Sequence, residues 1–265
     1  MTAPTLVMLA RGHREPNVQQ LAKSLRQRLL RWRPAISSHF AFVDDVSDIT
    51  SLAEQLLAQG RNEMACVPLD LSRAVEPDET TQATLASLQS AVPDMRVGVS
   101  RPLGPSSTLL NVLDERLRTS LRATRTVELD GLVMSLPRSG DVRGNTLVSR
   151  RARQWSNHHR LPVVVAVADG SGPNVASAIS SLRAQGRRHI AVGSFFIAEN
   201  EPWVTQAELA VASGATAVGA PIGPDDRLLE LVMARYSYAA MELLDMPEVQ
   251  LGPDEAENLS LDESL

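Results

Sequence analysis

Three short segments of the sequence carry side chains able to grip an anion, hold a cation or move a proton. The first is Ala10-Arg11-Gly12-His13-Arg14-Glu15-Pro16, the second Asp44-Asp45, and the third Ser72-Arg73-Ala74-Val75-Glu76. An imidazole such as that of His13 has an ordinary pKa of about 6.5 and exchanges protons near neutral pH. Arginine stays charged and has no acceptor lone pair, so Arg11, Arg14 and Arg73 serve neither as bases nor as metal ligands. Their planar forks suit carboxylates instead. A plainer assignment is equally open: Asp44 and Glu76 as solvated loop carboxylates, and His13 as a cap on the helix that follows it.

Each segment comes after an apolar run that reads as a strand: Thr5–Ala10, Phe40–Val43 and Met64–Leu69. Between them lie helical patterns. Val18, Leu21, Ala22, Leu25, Leu29 and Trp32 mark one face of the first. Ser51 and Glu54 are spaced as a capping box for a helix from Ser51 to Ala58, with Gly60 as its stop. A third helix is expected from about Asp78 to Ser90, a strand over Arg96–Val99 and a helix over Ser106–Leu121. Strand–helix alternation with short connections predicts a parallel sheet covered on both faces. Ligands of such sheets sit beyond the carboxyl ends of the strands. The three loops are therefore expected to converge, bringing Arg11, His13, Asp44 and Glu76 to one crevice.

The chain repeats this organisation. Leu6-Val7-Met8 recurs as Leu132-Val133-Met134, and Ala58-Gln59-Gly60-Arg61 as Ala184-Gln185-Gly186-Arg187, both at an offset of 126 residues. Pro102-Leu103-Gly104-Pro105 returns as Pro221-Ile222-Gly223-Pro224 at a slightly shorter offset. Strands are expected near Gly131–Leu136, Val163–Ala168, Ile190–Phe196 and Ala217–Ala220. The reading is α/β: two similar doubly wound parallel-sheet domains, residues 1–124 and 125–246, facing across a cleft. Residues 247–265 are expected to be an acidic, disordered tail. Six of the acidic residues fall between Glu248 and Leu265 with no basic ones, which puts the rest of the chain at about +1 against a total of −5.

Composition narrows the function classes. The chain is 43% hydrophobic and 22% charged, as a globular protein is. No apolar run approaches the roughly 18 residues that span a bilayer, and the first residues lack a secretory pattern. A cytoplasmic protein without a membrane partner is expected. Aromatic residues are only 3%, too few for stacking platforms along single-stranded nucleic acid, so no nucleic-acid partner is expected. Cys66 stands alone, which excludes an internal disulfide, and within its apolar strand it reads as a small buried hydrophobe. Asp169-Gly170-Ser171-Gly172 reads as a tight turn rather than an anion loop. His158 and His159 sit at a helix end, where a cation meets the helix dipole favourably, and neighbours on a helix do not face one way. They read as structural, as do His39 and His189.

Taken together, the strand-end motifs resemble the class II tetrapyrrole chelatases, the sirohydrochlorin chelatase family called CbiX or SirB. The family's first strand ends in a motif like A-H-G-S-R-D-P, against Ala10-Arg11-Gly12-His13-Arg14-Glu15-Pro16 here. Its F-L-E strand end corresponds to Phe42-Val43-Asp44. Its V-P-L-F-L-S-A-G-Y-H segment corresponds to Val67-Pro68-Leu69-Asp70-Leu71-Ser72-Arg73-Ala74-Val75-Glu76, and its P-L-G to Pro102-Leu103-Gly104. The similarity runs from about Thr5 to Tyr236 and extends to the family's long, internally duplicated members.

That resemblance implies insertion of a divalent metal, Fe²⁺ or Co²⁺, into a carboxylate-rich tetrapyrrole. The metal is a substrate, and no organic cofactor is implied. By position it implies that Arg11, Arg14 and Arg73 orient substrate carboxylates. Asp44, Glu76 and His13 would hold the metal, with His13 and Glu76 the catalytic pair. The departures fall on the chemistry: the family's two histidine positions carry Arg11 and Glu76, its glutamate is Asp44, and the first histidine position of the second half is Pro137. Three readings follow. One is a chelatase with an altered site, another a non-catalytic relative that binds a tetrapyrrole, a metal or a partner protein, and the third a structural or regulatory subunit. A monomer is expected, since one chain supplies both halves.

Overall fold

The computed structural model describes residues 3–12 and 14–245; His13 and the whole of the expected tail lie outside the described residues. Two four-stranded parallel sheets organise the chain. The first uses β1 (Thr5–Ala10), β2 (Ser38–Phe42), β3 (Glu63–Pro68) and β4 (Arg96–Val99) in the order β2-β1-β3-β4. The second uses β5 (Gly131–Leu136), β6 (Val163–Val167), β7 (Ile190–Ser194) and β8 (Ala217–Val218) in the equivalent order β6-β5-β7-β8. In the first half the helices are α1 (Pro16–Trp32), α2 (Val46–Ala58), α3 (Glu79–Ala91) and α4 (Ser107–Ala123). Those of the second are α5 (Val142–His159), α6 (Val175–Ala184), α7 (Glu201–Ala212) and α8 (Asp226–Asp245). The expected architecture, doubly wound sheets with helices on both faces, is the one observed.

Burial follows the period-two alternation of strands. Along β1, Val7 and Leu9 join Ile49, Leu52 and Leu88 on the sheet's outer face. Leu6 and Met8 face inward, into a core that runs without a break into Leu132, Met134, Trp155 and Tyr236 of the second half. The two halves therefore share one interior.

That interior is built by an exchange. Helix α4, the last of the first half, packs on β7 and β8 of the second sheet; α8, the last of the second half, packs on β3 and β4 of the first. Glycine makes both approaches possible. A Cβ on Gly98 of β4 would stand 2.5 Å from the Ala239 carbonyl oxygen of α8. One on Gly193 of β7 would stand 2.6 Å from Leu113 of α4. Polar contacts fasten α8 to the first half: Tyr236 donates its hydroxyl to the Pro4 carbonyl at 2.8 Å, and Arg96 donates to the Leu243 carbonyl.

Two local expectations need correcting. Helix α2 begins at Val46, not Ser51, because Asp45 rather than Ser51 is its cap, accepting from the Ser47 N–H at 3.0 Å. Strand β7 ends at Ser194, not Phe196: Phe195 and Phe196 leave the ladder and turn into the cleft between the halves.

Candidate functional site: the cleft between the two halves

The cleft opens beyond the carboxyl ends of β1, β3, β5 and β7. Its floor is apolar, made by Leu9, Leu69 and Leu71 from the first half and Phe195 and Phe196 from the second. Arg11, Arg138, Asp70 and Asp78 supply its charge. Arg11 directly follows β1. Gly12 then turns the chain with φ +97, a conformation open to glycine and costly for other residues, and its N–H is held by Asp44 Oδ2 at 3.0 Å. The Asp44 carboxylate thereby shapes the loop that presents Arg11.

Asp78 is the centre of the charge arrangement. It caps α3 by accepting from the Thr81 N–H at 2.9 Å, and the same side chain accepts from Arg11 at 2.6 Å. Arg138, in the loop after β5, also donates to Asp78, across the cleft from the other half. Burial pushes the Asp78 pKa up, but the Thr81 hydrogen bonds and the Arg11 charge prevail and hold it at about 2. The carboxylate is ionised at any physiological pH. With Asp70 also on the lining, two guanidinium groups face two carboxylates, and the formal charges at this end of the cleft balance.

The space directly at this cluster is about 100 Å³, smaller than the 300 Å³ or more of a usual small-molecule pocket. It continues past Leu21, Ile197 and Ala198 into a wider groove of about 500 Å³ between α1 and the loops of the second half. Arg28 and Arg116 stand on the walls of that groove. Arg28 pairs with Asp226 at 2.7 Å, and Arg116 donates to the Ile222 carbonyl at 3.0 Å. The cleft as a whole is an apolar trough with arginines at both ends, each end also carrying carboxylates. The halves also meet at its edge, where Glu15 accepts from the Glu201 N–H at 2.7 Å.

The residues singled out from sequence are not all brought together. Arg11 lines the cleft. Asp44 is exposed and reaches it only through Gly12, and Arg14 is exposed. Glu76 is exposed in a separate depression with Arg73, Asp141 and Arg143, where Arg73 donates to the Glu76 carbonyl at 2.9 Å. There the halves touch again, with Asp141 accepting from the N–H groups of Ala74 and Val75 at 3.0 and 2.9 Å. Sequence reasoning missed Asp78 and Arg138. The first was visible only as a helix start, and the second only as a residue in a strand-end loop.

The CbiX family model matches residues 5–120. No curated protein matches the sequence. Among solved structures, SirB from Bacillus subtilis with Fe³⁺ is similar with a TM-score of 0.67 at 16% identity, over 92% of this chain and 98% of that one. The sirohydrochlorin chelatase SirB from Bacillus subtilis subspecies spizizenii in complex with cobalt gives 0.69 at 17% identity, over 94% and 98%. CbiX, the terminal enzyme for biosynthesis of siroheme in denitrifying bacteria, gives 0.61 at 15% identity, over 88% and 98%. At such identities the structural likeness speaks for the fold. Residues 5–120 thus match the CbiX family model, and the chain as a whole has the fold of these chelatases.

Proposed function

We propose that this chain binds a carboxylate-bearing tetrapyrrole in the cleft between its halves, and that binding rather than metal insertion is its main activity. The observation that carries this reading is the Arg11–Asp78–Arg138 cluster. Arginine occupies the position at the end of β1, and a guanidinium can neither accept a pyrrole proton nor ligate a metal. It can hold a carboxylate. An apolar trough with arginines at both ends suits a flat macrocycle that is apolar on its faces and acidic at its rim. In this reading a peripheral carboxylate meets Arg11 at the narrow end and the ring lies in the wider groove.

The competing reading is insertion of Fe²⁺ or Co²⁺, with His13 as base and Asp44 and Glu76 as metal ligands. It requires Glu76 to leave its depression beside Arg73 and approach the loop of Asp44. The two readings separate in one experiment: mix the protein with sirohydrochlorin, follow its absorbance, then add Co²⁺ or Fe²⁺. The binding reading expects a spectral shift on mixing, reduced in Arg11→Ala, and no faster metal insertion than in buffer. Protein-dependent insertion that is lost in Glu76→Gln would establish the chelatase. Absence of any spectral change would remove both.

A further inference from the structure

A second cluster lies at the opposite end of the second sheet from the cleft. Helix α5 runs back from the loop of Arg138 and ends at His159, beside the start of β6, so its last turn is far from the strands' carboxyl ends. There, ligand atoms of Asp114 on α4 and of His158 and His159 on α5 lie within 4.8 Å of one another. Among the described residues this is the one such group of three or more. We propose that Asp114, His158 and His159 form a binding site for a borderline divalent cation of the Zn²⁺ or Co²⁺ type, independent of the cleft.

Adjacent helical residues normally diverge, and the sequence alone assigned these histidines structural roles. Here the two side chains converge all the same. The helix stops here, with Arg160 in the left-handed conformation at φ 56, and the two rings meet edge to face with centroids 4.8 Å apart. Asp114 Oδ1 lies 2.5 Å from His159 Nε2 and accepts from the indole N–H of Trp155 at 2.9 Å. Trp155 is fully buried and so fixes the direction of the carboxylate, as outer partners of metal ligands commonly do.

A simple ion pair between His159 and Asp114 gives His158 no part. Yet His158 Nε2 is turned to the cluster, 3.4 Å from Arg118. Arginine offers only donors, so that nitrogen presents its lone pair. Two imidazoles and one carboxylate form a donor set suited to Zn²⁺, Co²⁺ or Ni²⁺, with a position left for water. Tetrahedral ligands at about 2.1 Å from a metal stand about 3.4 Å apart, so small side-chain rotations close the site. Arg118 now bonds Asp114 Oδ2 at 2.8 Å; half exposed, it can swing into solvent when a cation takes its place.

The test uses untagged, full-length protein titrated with Zn²⁺ by calorimetry and with Co²⁺ by visible absorption. Wild type is expected to take up a cation at this site, with d–d bands of a nitrogen- and oxygen-ligated Co²⁺. His158→Ala and His159→Ala should each weaken this binding at least tenfold, while Arg118→Ala should strengthen it by removing the competing charge. His158 is exposed, so its replacement leaves the fold intact, which circular dichroism verifies. Absence of binding in wild type, or equal binding in His158→Ala, would overturn the proposal. Since no tetrapyrrole is present, failure here leaves the reading of the cleft untouched, and the reverse also holds.

Discussion

Arg138, contributed by the second half, donates to the carboxylate of Asp78, contributed by the first. One side chain therefore does three jobs: it caps α3, it neutralises part of the Arg11 charge and it ties the halves together at the cleft floor.

The first prediction concerns acid. Asp78 is held at about 2 against an ordinary 3.8, so the folded state binds its proton less readily than the unfolded chain. The stability this provides is fully present above about pH 4 and is lost as pH falls from there through about 2. In Asp78→Asn, that part of the acid dependence should vanish. Identical slopes of unfolding free energy against pH in both proteins, measured by urea titration between pH 4 and 2, would contradict it.

Arg138→Ala tests the tie between the halves. A hydrogen bond to a charged, partly buried partner contributes about 1.5–3 kcal/mol, and its exposure to solvent lowers that to roughly 1–2 kcal/mol here. The urea midpoint should fall accordingly. An unchanged midpoint would make the contact incidental.

Arg11→Ala addresses the ligand. If the guanidinium holds a rim carboxylate, affinity for sirohydrochlorin should fall by roughly tenfold or more, and the deficit should be larger at low ionic strength. Fluorescence or absorbance titration at two salt concentrations reads both effects. Equal affinity of the two proteins would remove Arg11 from the site.

Gly98→Ala probes the exchanged helix. The new methyl would press on the Ala239 carbonyl, which is backbone and cannot rotate away. Overpacking of this kind costs about 1–3 kcal/mol, and the melting temperature should drop. Gly60→Ala is the control: its positive φ strains a side chain, but its Cβ meets nothing within 4 Å, so it should leave the seating of α8 unaltered. If Gly98→Ala melts like wild type, α8 does not press on β4 as described.

How far the sequence foretold these contacts depends on their range. Strand β1 and its loop were legible, since an apolar run ending in Arg11-Gly12 is a local signal. The strand–helix alternation was legible because it occurs twice, whereas the order of strands within each sheet was not read from it. Asp78 announced itself only as the start of a helix, because its partners stand 67 and 60 residues away. The start of α2 was misplaced because Ser51 and Glu54 mimic a cap, whereas Asp45 has the free backbone N–H groups to accept from. The destination of α4 was illegible for a different reason: amphipathic spacing shows that Leu109, Leu113 and Leu117 share a buried face, but not which sheet they cover. The meeting of His158 with His159 depends on where the helix ends, which neighbour counting on a continuous helix misses.

The crossing of α4 and α8 also sets a timetable for synthesis. While the ribosome makes the second half, the completed first sheet still lacks the helix that covers its inner side around Ala65 and Val67. Helix α4, already made, has no strands to settle on until β7 and β8 emerge. The nascent chain therefore carries uncovered apolar surface through much of its translation, a state prone to capture by chaperones or by a neighbouring chain. Neither half can reach its final form ahead of the other, and α8, made after every other described helix, closes the first sheet to be made.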